Sequence, residues 1–386
     1  MKVLIVLPQL KFYGGAELLV VELANYLTSV GIENTILSLS KSEAVEKNLK
    51  NTKIIIPRGS SLVRITESFV SPMDLVRAIL IFRKTIKKIR KNYDIISFHN
   101  FPVTWALFPY KARTVWMCNE PPSLWSRPEA GLMLKFLNKI RSITDRIIVR
   151  QSMNVICVAD KFNQKRVKEQ YGRNSQIVNY GIDYLFFSSG QKRHAISEFG
   201  LSGKFVIIQS GMVTLQKNQL ESIKTVGRLK DKIPNILLVL AGKIEPSYGS
   251  LLADYIEKNN LEKHILFTGN LTRDKLRNIY AACDVGLFPI KSQGGWLAPF
   301  ELLCSAKPVI VSKEFTAAEL VQKNGLGIVT DNYFEAILKI YKNKKNYGKI
   351  SKKAALFVKN ELSWENFGKK FIDIFEKLVG EHHSAQ

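Results

Sequence analysis

The segment from Ser292 to Val311 carries residue types that could bind a phosphate and a sugar. Gly294 and Gly295 lack side chains, so backbone N–H groups there can approach an anion closely. The apolar residues from Leu297 predict a helix whose N-terminus directs its positive dipole end at the same place. Glu301, one turn into that helix, can accept hydrogen bonds from hydroxyl groups. An ordinary strand-to-helix turn with a surface glutamate would give the same pattern, so the interpretation depends on the rest of the chain.

Short apolar segments alternate with amphipathic segments of helical length along the whole chain. This alternation is typical of parallel sheets that are covered by helices. The predicted strands form two series, before and after a hydrophilic patch near residues 188–203. They are residues 3–7, 34–40, 53–56, 94–98, 115–118, 154–159 and 176–181, and then 205–211, 236–242, 265–269, 284–290 and 308–312. The sequence therefore predicts an α/β fold of two tandem, doubly wound, Rossmann-like domains.

The domain limits follow from these two series of strands. We expect the first domain at residues 1–182 and the second at 183–362. Residues 363–386 are expected to form a helix that packs back on the first domain. Its apolar stripe consists of Trp364, Phe367, Phe371 and Phe375. Ligands of doubly wound sheets bind beyond the carboxyl ends of the strands, so two such domains facing one another would form a central cleft.

Residues with binding chemistry follow the ends of five predicted strands. They are Gly14, Gly15 and Glu17, then His99 and Asn100, then residues 211–219, then Gly269, Asn270 and Leu271, and finally the turn at Gln293. Because the carboxyl ends of parallel strands meet at one edge of a sheet, these residues are expected to line the predicted cleft.

Composition limits the class of protein and of partner. The chain has 386 residues and a formal net charge of +24, which suits nucleic acid, an anionic membrane surface or phosphorylated substrates. The four cysteines are too widely spaced for a zinc or redox motif, which indicates reduced core thiols and a reducing compartment. Residues 1–10 read as a first buried strand and not as a signal peptide, and no window reaches the length of a membrane-spanning helix. We expect a cytoplasmic protein that is soluble or peripheral.

The densest basic segment is residues 83–91, RKTIKKIRK. Helical spacing places its charges on one face and its apolar residues on the other. The charged face is either simply solvated or faces an anionic membrane, which would suit a lipid-linked acceptor. Nucleic acid is a weaker interpretation, because the chain has no zinc-finger spacing, no ribonucleoprotein signature and no basic tail.

The motifs, in their order and spacing, resemble those of the GT-B glycosyltransferases, and in particular family 4 (glycosyl transferases group 1) with its many mannosyl- and glucosyltransferases. The resemblance covers nearly the whole chain. It rests on GGAE at 14–17, VWMCNEPP at 115–122, NYGID at 179–183, QKNQ at 216–219, LAGK at 240–243, FTGNL at 267–271, IYAACDVGLFP at 279–289 and FELLCSAKPVIVS at 300–312. It implies a GT-B fold and transfer of a sugar from a nucleotide diphosphate.

The resemblance implies a donor site formed mainly by the second domain. Lys217 would bind the donor diphosphate as a compact cation at a helix N-terminus, although a surface lysine gives the same pattern. Glu301 matches the second glutamate of the family's E-x7-E pattern and would hold the ribose hydroxyls. The other implied donor-side residues are Gly14, Gly15, Asn218, Gly269, Asn270, Leu271, Gln293, Gly294, Gly295, Trp296 and Leu297, with Glu319 nearby.

The donor motifs depart from the family at three places. Gln293 replaces the first glutamate of the pattern; it can still exchange hydrogen bonds with hydroxyls but removes a negative charge near the anomeric centre. Met212 stands where the family often has a second diphosphate-binding cation, and Lys243 or Lys291 could substitute for it. Trp296, in a variant of the glycine turn, would either wall the sugar pocket or pack between domains.

The resemblance also implies an acceptor side on the first domain. His99 resembles the residue that touches the transferred sugar or the acceptor, although a histidine at a strand end can equally be a satisfied polar residue. Glu17, Asn100, Asn119 and Glu120 belong to the same group of motifs, with Asn119 in place of the family's histidine. Within the implied site, the expected catalytic residues are Lys217, His99, Gln293 and Glu301.

The implied reaction transfers a hexose to a hydroxyl of a glycan or lipid-linked acceptor with retention at the anomeric carbon. No Asp-x-Asp motif stands in the sequence, so Lys217 and helix N-termini are expected to stabilise the leaving diphosphate without a metal or other cofactor. Residues 115–122 look most like those of mannosyltransferases, which favours GDP-mannose, with UDP-hexoses close behind. The alternatives are a catalytically weak nucleotide-sugar-binding accessory protein and, from charge alone, a nucleic-acid-binding protein.

Overall fold

A computed structural model of the chain describes residues 1–11, 13–64, 71–119, 121, 132–291 and 296–380. The chain divides into two compact units. The first unit comprises Met1–Gly181 and the chain from Trp364 onward, and the second comprises Ile182–Ser363. Each unit contains its own parallel sheet.

The first unit is built on a seven-stranded sheet in the order β3-β2-β1-β4-β5-β6-β7, with all neighbours parallel. Strands β1 and β4 are almost wholly buried, as their apolar sequences require. The order reverses between β1 and β4, which is where ligands of such sheets bind. The strands are β1 Lys2–Val6, β2 Glu33–Leu37, β3 Lys53–Ile55, β4 Ile95–His99, β5 Thr114–Met117, β6 Val155–Val158 and β7 Gln176–Ile177.

Helices cover both faces of this sheet. On one face, α3, α4 and the turn Val103–Ala106 share a hydrophobic core with the strands. On the other, the C-terminal helix α15 packs against α1. The contact is close, because any side chain at Gly368 of α15 would overlap the ring of Tyr26. The helices are α1 Gly15–Ser29, α2 Glu43–Glu46, α3 Pro72–Ile89, α4 Leu132–Ser152, α5 Lys161–Tyr171 and α15 Trp364–Gly380.

The second unit has a six-stranded parallel sheet in the order β10-β9-β8-β11-β12-β13. Its order therefore reverses between β8 and β11. The strands are β8 Phe205–Ser210, β9 Ile236–Ala241, β10 Ile265–Gly269, β11 Val285–Phe288, β12 Val309–Val311 and β13 Ile328–Val329. The helices are α6 Tyr184–Ser188, α7 Lys192–Phe199, α8 Gln219–Leu229, α9 Pro246–Lys258, α10 Arg273–Ala282, α11 Leu297–Cys304, α12 Ala318–Lys323, α13 Tyr333–Lys342 and α14 Lys344–Glu361.

Local sequence signals set several helix limits. The hydroxyl of Ser71 accepts a hydrogen bond from the Asp74 N–H (3.0 Å) and Pro72 takes the first helical position of α3. Asp160 caps α5 by accepting from the Asn163 N–H at 2.8 Å. Gly172 ends α5 with a φ of 63°, which a glycine adopts without strain.

The prediction of two doubly wound parallel sheets is confirmed, and every predicted strand is present. The strand β13 was missed, because Ile328 and Val329 are too few to form a recognisable apolar segment. The strand predicted at 176–181 is only two residues long. All four cysteines are buried and none forms a disulfide, in agreement with core thiols. Across the described ranges, no helix is both long and apolar enough to cross a bilayer.

Candidate functional site

The strongest candidate site lies at the point where the strand order of the second sheet reverses. The loop of residues 211–218 follows β8, and residues 289–291 follow β11. Two hydrogen bonds join these segments: the Lys291 N–H donates to the Gln216 carbonyl (2.9 Å), and the Asn218 side-chain amide donates to the Pro289 carbonyl (3.1 Å). Hydrogen bonds therefore hold the two strand ends at the reversal together.

Two buried glutamines hold the loop after β8 in place through hydrogen bonds. The Gln209 amide on β8 donates to the Lys217 carbonyl (2.7 Å), and its oxygen accepts from the Ser222 hydroxyl (2.6 Å). Gln219, the first residue of α8, donates to the Met212 carbonyl at 3.0 Å. Both glutamines are almost completely buried. The backbone at Lys217 is therefore held by contacts that water cannot replace at low cost.

Lys217 is half-buried and lies two residues before α8. The residue between, Asn218, has a φ of 56° and turns the chain into the helix. The first N–H groups of a helix carry partial positive charge and need acceptors. A lysine and a helix N-terminus at one strand end make a natural position for a diphosphate.

Glycines allow the neighbouring strand ends to pack backbone to backbone. The Gly211 N–H donates to the Ala241 carbonyl (2.8 Å), and the Gly242 N–H donates to the Gly269 carbonyl (2.9 Å). A side chain at Gly242 would overlap the Gly211 carbonyl. Gly269 has a φ of 66° and begins the turn into α10.

Asn270 and Leu271 form that turn, and Thr272 caps α10. These residues therefore lie at the carboxyl end of β10, as expected for a donor-side segment.

Glu301 lies at the end of a hydrogen-bond chain that begins in the sheet. The hydroxyls of Ser210 and Tyr280 are 2.6 Å apart, and the Tyr280 hydroxyl is 3.5 Å from Glu301 Oε2. Burial is the main cause that raises the pKa of Glu301 to about 7, while Arg273 and the Tyr280 hydrogen bond oppose the shift. Ser210 ends β8, Tyr280 is on α10 and Glu301 is on α11, so three elements position this carboxyl group.

Arg273 is a site residue that the sequence analysis missed. It is the first residue of α10, and its guanidinium lies 4.5 Å from the ring centroid of Phe186. One of its terminal nitrogens is 3.7 Å from a carboxylate oxygen of Asp183. Asp183 caps α6 by accepting from the Phe186 N–H at 3.1 Å. Arg273 has no motif of its own; only its position after the Gly269 turn could have indicated it.

The other donor-side residues lie at the same edge of the sheet, or are not among the described residues. Trp296 is buried in the second unit with its ring 4.3 Å from that of Phe300, and Leu297 begins α11. Gln293, Gly294 and Gly295 lie outside the described residues. Met212 is 42% exposed, and exposed Lys243, Lys291 and Glu319 follow β9, β11 and β12.

His99, expected to contact the sugar or the acceptor, is completely buried in the first unit. Its Nε2 is 3.1 Å from the Ser97 hydroxyl, and its ring stacks on Phe371 of α15 with centroids 6.1 Å apart. Burial lowers its pKa to about 3, so the ring is neutral. In this structure His99 therefore has no exposed surface, in contrast to the expected contact with the sugar or the acceptor.

The remaining first-unit residues form a small polar group at the ends of β4 and β5. The Asn119 amide donates to Asn100 Oδ1 (2.6 Å), and Asn119 Oδ1 accepts from the Tyr180 hydroxyl (2.8 Å). Asn100 has a φ of 62° directly after β4. Asn119, which replaces the family's histidine, thus links three segments. Glu120 lies outside the described residues.

At the other strand end of the first reversal, Gly14 and Gly15 open α1. Gly14 is the N-cap of α1, Gly15 has a φ of 57°, and Glu17 is in the first turn. Over the part of the chain that the structure describes, no three His, Cys, Asp or Glu side chains are grouped to hold a metal ion.

Comparison with known proteins agrees with this layout. Residues 13–184 match the family model "Glycosyltransferase Family 4", and residues 191–357 match "Glycosyl transferases group 1". The chain carries both domains of a GT-B glycosyltransferase. These matches place the Lys217 loop and Glu301 in one domain and His99 and Asn119 in the other.

The curated relatives of this glycosyltransferase chain are distant. A D-inositol 3-phosphate glycosyltransferase of Mycobacteroides abscessus is 23% identical over 54% of the chain and 48% of its own length. A GDP-Man:Man(3)GlcNAc(2)-PP-Dol alpha-1,2-mannosyltransferase of Dictyostelium discoideum is 21% identical over 55% of the chain and 44% of its own length. The chain thus spans about half the length of these relatives.

A solved structure matches the fold of this chain over its whole length. Anabaena HepE in complex with UDP-glucose matches all of this chain and all of its own, with a TM-score of 0.76 and 16% identity. At that identity the likeness establishes the fold alone.

Proposed function

We propose that the chain transfers a hexose from a nucleotide-diphosphate sugar to a hydroxyl of a glycan or lipid-linked acceptor, with retention at the anomeric carbon. The observation that carries this proposal is the pair of hydrogen-bonded strand ends in the second sheet. Lys217 lies there before α8, and Glu301 lies at the end of the Ser210–Tyr280 hydrogen-bond chain. The second domain, residues 183–362, would bind the donor. The first, residues 1–182 with the C-terminal helix, would bind the acceptor.

Leaving-group charge is the central problem of this reaction. The bond from the anomeric carbon to the phosphate oxygen breaks while the acceptor oxygen bonds to the same face. The departing phosphate oxygen takes the acceptor proton. Lys217 and the N–H groups that open α8 would stabilise the negative charge that develops on the diphosphate. Because the chain itself supplies this positive charge, we propose that transfer needs neither a metal ion nor another cofactor.

Glu301 would bind the ribose. Its ionised carboxyl group would accept hydrogen bonds from two neighbouring hydroxyls, and the Tyr280 hydroxyl, 3.5 Å from Oε2, would help to orient it. Because its pKa is raised to about 7, the group is only partly ionised at neutral pH before the donor binds. Hydroxyl donors favour the ionised form, so donor binding and deprotonation of Glu301 would be coupled.

For the donor we favour GDP-mannose over UDP-hexoses. The mannosyltransferase-like segment at residues 115–122 supports mannose, and the name of the Dictyostelium relative contains GDP-Man. UDP-glucose is the ligand named for the HepE structure, and it stands as the alternative.

A second candidate is a nucleotide-sugar-binding accessory protein with weak turnover. Three departures from the family favour it: Gln293, Met212 and Asn119. The retention of Lys217 and Glu301, each with buried hydrogen-bonded support, argues against it.

Thermal unfolding with GDP, UDP, GDP-mannose, UDP-glucose, UDP-GlcNAc and UDP-galactose tests the proposal. Selective stabilisation by one nucleotide series should be lost in Lys217→Ala and Glu301→Gln. It should persist in the controls Lys232→Ala and Glu257→Gln, which change exposed residues elsewhere on the second unit. Absence of any shift would reject the donor site. Stabilisation without sugar transfer to any acceptor or to water would favour the accessory protein.

We further propose that the protein works in the cytoplasm at the surface of a membrane that carries its acceptor. The support is the C-terminal half of α3, where Lys84, Lys87 and Lys88 are exposed. Each basic residue near an anionic surface contributes about 1 kcal/mol of attraction. Purified protein should therefore bind anionic vesicles at low salt, and failure to do so would remove this part of the proposal.

A further inference from the structure

The outward face of α4 is apolar where a solvated helix would be charged. Phe136 is 64% exposed, and Ile140, Ile143 and Ile147 are between 45% and 51% exposed. Their spacing of four, three and four residues places them on one line along the helix. The opposite side of α4 is packed, with Val149 in the core of the unit. We name these four exposed residues the apolar ridge.

Positive charge flanks the apolar ridge. Beside the ridge, α4 exposes Lys139, Arg146 and Arg150, and near its end the neutral Gln151. The acidic residue in this part of the helix, Asp145, is buried and accepts hydrogen bonds from Trp105 and Tyr171, each at 2.6 Å. The exposed side of the helix is therefore apolar and cationic, with no acidic side chain among those described.

Helix α3 extends the same surface. Both helices pack on the Val103–Ala106 turn and contribute to one hydrophobic core on one face of the sheet. The N-terminal half of α3 also exposes apolar side chains: Met73, Val76 and Leu80 are 55% to 62% exposed. Its C-terminal half exposes the lysines already described. The helices on this face of the first sheet therefore expose both apolar and basic side chains.

Three cations of α3 and its C-terminal turn surround one aromatic ring. The charged groups of Arg83, Lys87 and Arg90 lie 5.8, 6.0 and 5.1 Å from the ring centroid of Tyr110. The ring face attracts each of them, which offsets part of their mutual repulsion. An anion bound among the three cations would offset the remaining repulsion.

We propose that α3 and α4 together form a membrane-docking surface, in which the apolar ridge enters an anionic bilayer and the cations contact lipid phosphates. This is the arrangement of an interfacial amphipathic element: apolar side chains reach the boundary of headgroups and acyl chains, and basic ones remain at phosphate level. This surface rests on the proposed location at a membrane and would explain how the protein binds there, but it does not depend on the donor site.

Charge selects a membrane over the other occupants of such a face. A symmetric pair of chains would place this face against its own copy and so oppose cations with cations. Nucleic acid would satisfy the cations but would leave the apolar ridge in water. An anionic bilayer satisfies both groups at once.

Vesicle co-sedimentation of the full chain separates the two contributions. Vesicles of phosphatidylcholine, with and without 30% phosphatidylglycerol, are compared at low and physiological salt. Ile140→Gln with Ile143→Gln should weaken binding to anionic vesicles at least about tenfold at both salt concentrations, because the lost apolar contact is not screened. Lys84→Gln, Lys87→Gln and Lys88→Gln together should weaken it mainly at low salt. The matched control, Leu251→Gln with Leu356→Gln, removes two exposed apolar side chains of the second unit and should bind as wild type.

A fluorescent label tests insertion directly. All four native cysteines are buried, so Ile143→Cys supplies a single accessible thiol. An environment-sensitive dye there should shift to the blue on anionic vesicles and be quenched by brominated lipid, whereas a dye at Leu356→Cys should not respond. Nucleotide-dependent thermal stabilisation of the same samples reports the donor site separately.

The possible failures are distinguishable. If the ridge variant binds vesicles as tightly as wild type, the insertion proposal is wrong and the electrostatic one survives. If wild type binds no vesicles, both are wrong. Wild-type dimerisation that the ridge variant abolishes, without vesicle binding, would assign the surface to a second copy of the chain.

Discussion

The two sheets share one pattern of strand order but differ in the side chains beyond the strand ends at the reversal. In the second unit, buried glutamines and a serine–tyrosine chain lead from the sheet to Lys217 and Glu301. In the first, the strand-end histidine His99 turns into the core beneath α15, and the described residues beyond β4 and β5 include a short asparagine–tyrosine group. The fold places the carboxyl ends of the strands at an equivalent edge in each sheet. In the second sheet, buried side chains hold a lysine and a glutamate at that edge, which makes it the candidate site for binding a charged ligand.

The largest expected effect comes from removing the cation of the supported edge. Lys217→Ala should reduce the rate of sugar transfer by two to three decades, because loss of one preorganised contact to developing charge costs roughly 3–4 kcal/mol. Single-turnover kinetics with the nucleotide sugar that stabilises the protein would measure this loss. Lys232→Ala should retain the wild-type rate, and an equal loss in both variants would contradict the assignment.

Removing the support beneath Lys217 should have the next largest effect. Gln209→Leu leaves the Lys217 carbonyl and the Ser222 hydroxyl without their buried partner, which should destabilise the second unit by about 1–3 kcal/mol. Denaturant unfolding measures the loss, and nucleotide affinity should fall with it. Unchanged affinity in a destabilised protein would show that the loop keeps its geometry without Gln209.

His99 should affect the pH dependence of stability and not the chemistry. Its pKa is about 3 when folded against an ordinary value of 6.5, so between these values only the unfolded chain binds the proton. Stability should therefore fall as pH falls below 6.5, by up to about 1.4 kcal/mol per pH unit. Urea unfolding from pH 7 to 5 should show a shallower pH dependence in His99→Phe, whereas His194→Asn, at an exposed position, should match wild type. A slope unaltered in His99→Phe would contradict the buried, neutral assignment.

Arg273 should have the smallest effect, seen as a shift in pH. Its charge lowers the pKa of Glu301, so Arg273→Leu should raise that pKa above its present value of about 7. If the carboxylate form binds ribose, nucleotide affinity falls as pH decreases through 7, and the variant should lose affinity a few-fold already above that pH. Titrations of wild type, Arg273→Leu and Glu301→Gln from pH 5.5 to 8.5 provide the measurement. In Glu301→Gln this fall in nucleotide affinity with decreasing pH should disappear. If the fall occurs at the same pH in Arg273→Leu as in wild type, Arg273 is not coupled to Glu301.

The sequence predicted the sheets and the edge of each sheet where the motifs lie, because apolar strands and strand-end glycines are local signals. It did not predict that His99 is buried, since a histidine after a strand gives the same pattern whether α15 covers it or not. Arg273, Gln209 and the Ser210–Tyr280 chain were missed for a related reason. Their roles depend on contacts between elements far apart in sequence, and single polar residues in strands or helices carry no periodic signal.

Nucleotide titration calorimetry on matched variants of the two sheet edges shows which edge binds the donor. Lys217→Ala should weaken binding of the preferred nucleoside diphosphate at least about tenfold, which corresponds to 1.4 kcal/mol. His99→Phe should bind the same nucleotide with the affinity of the wild type. Wild-type affinity in Lys217→Ala together with lost affinity in His99→Phe would instead place the donor site in the first unit.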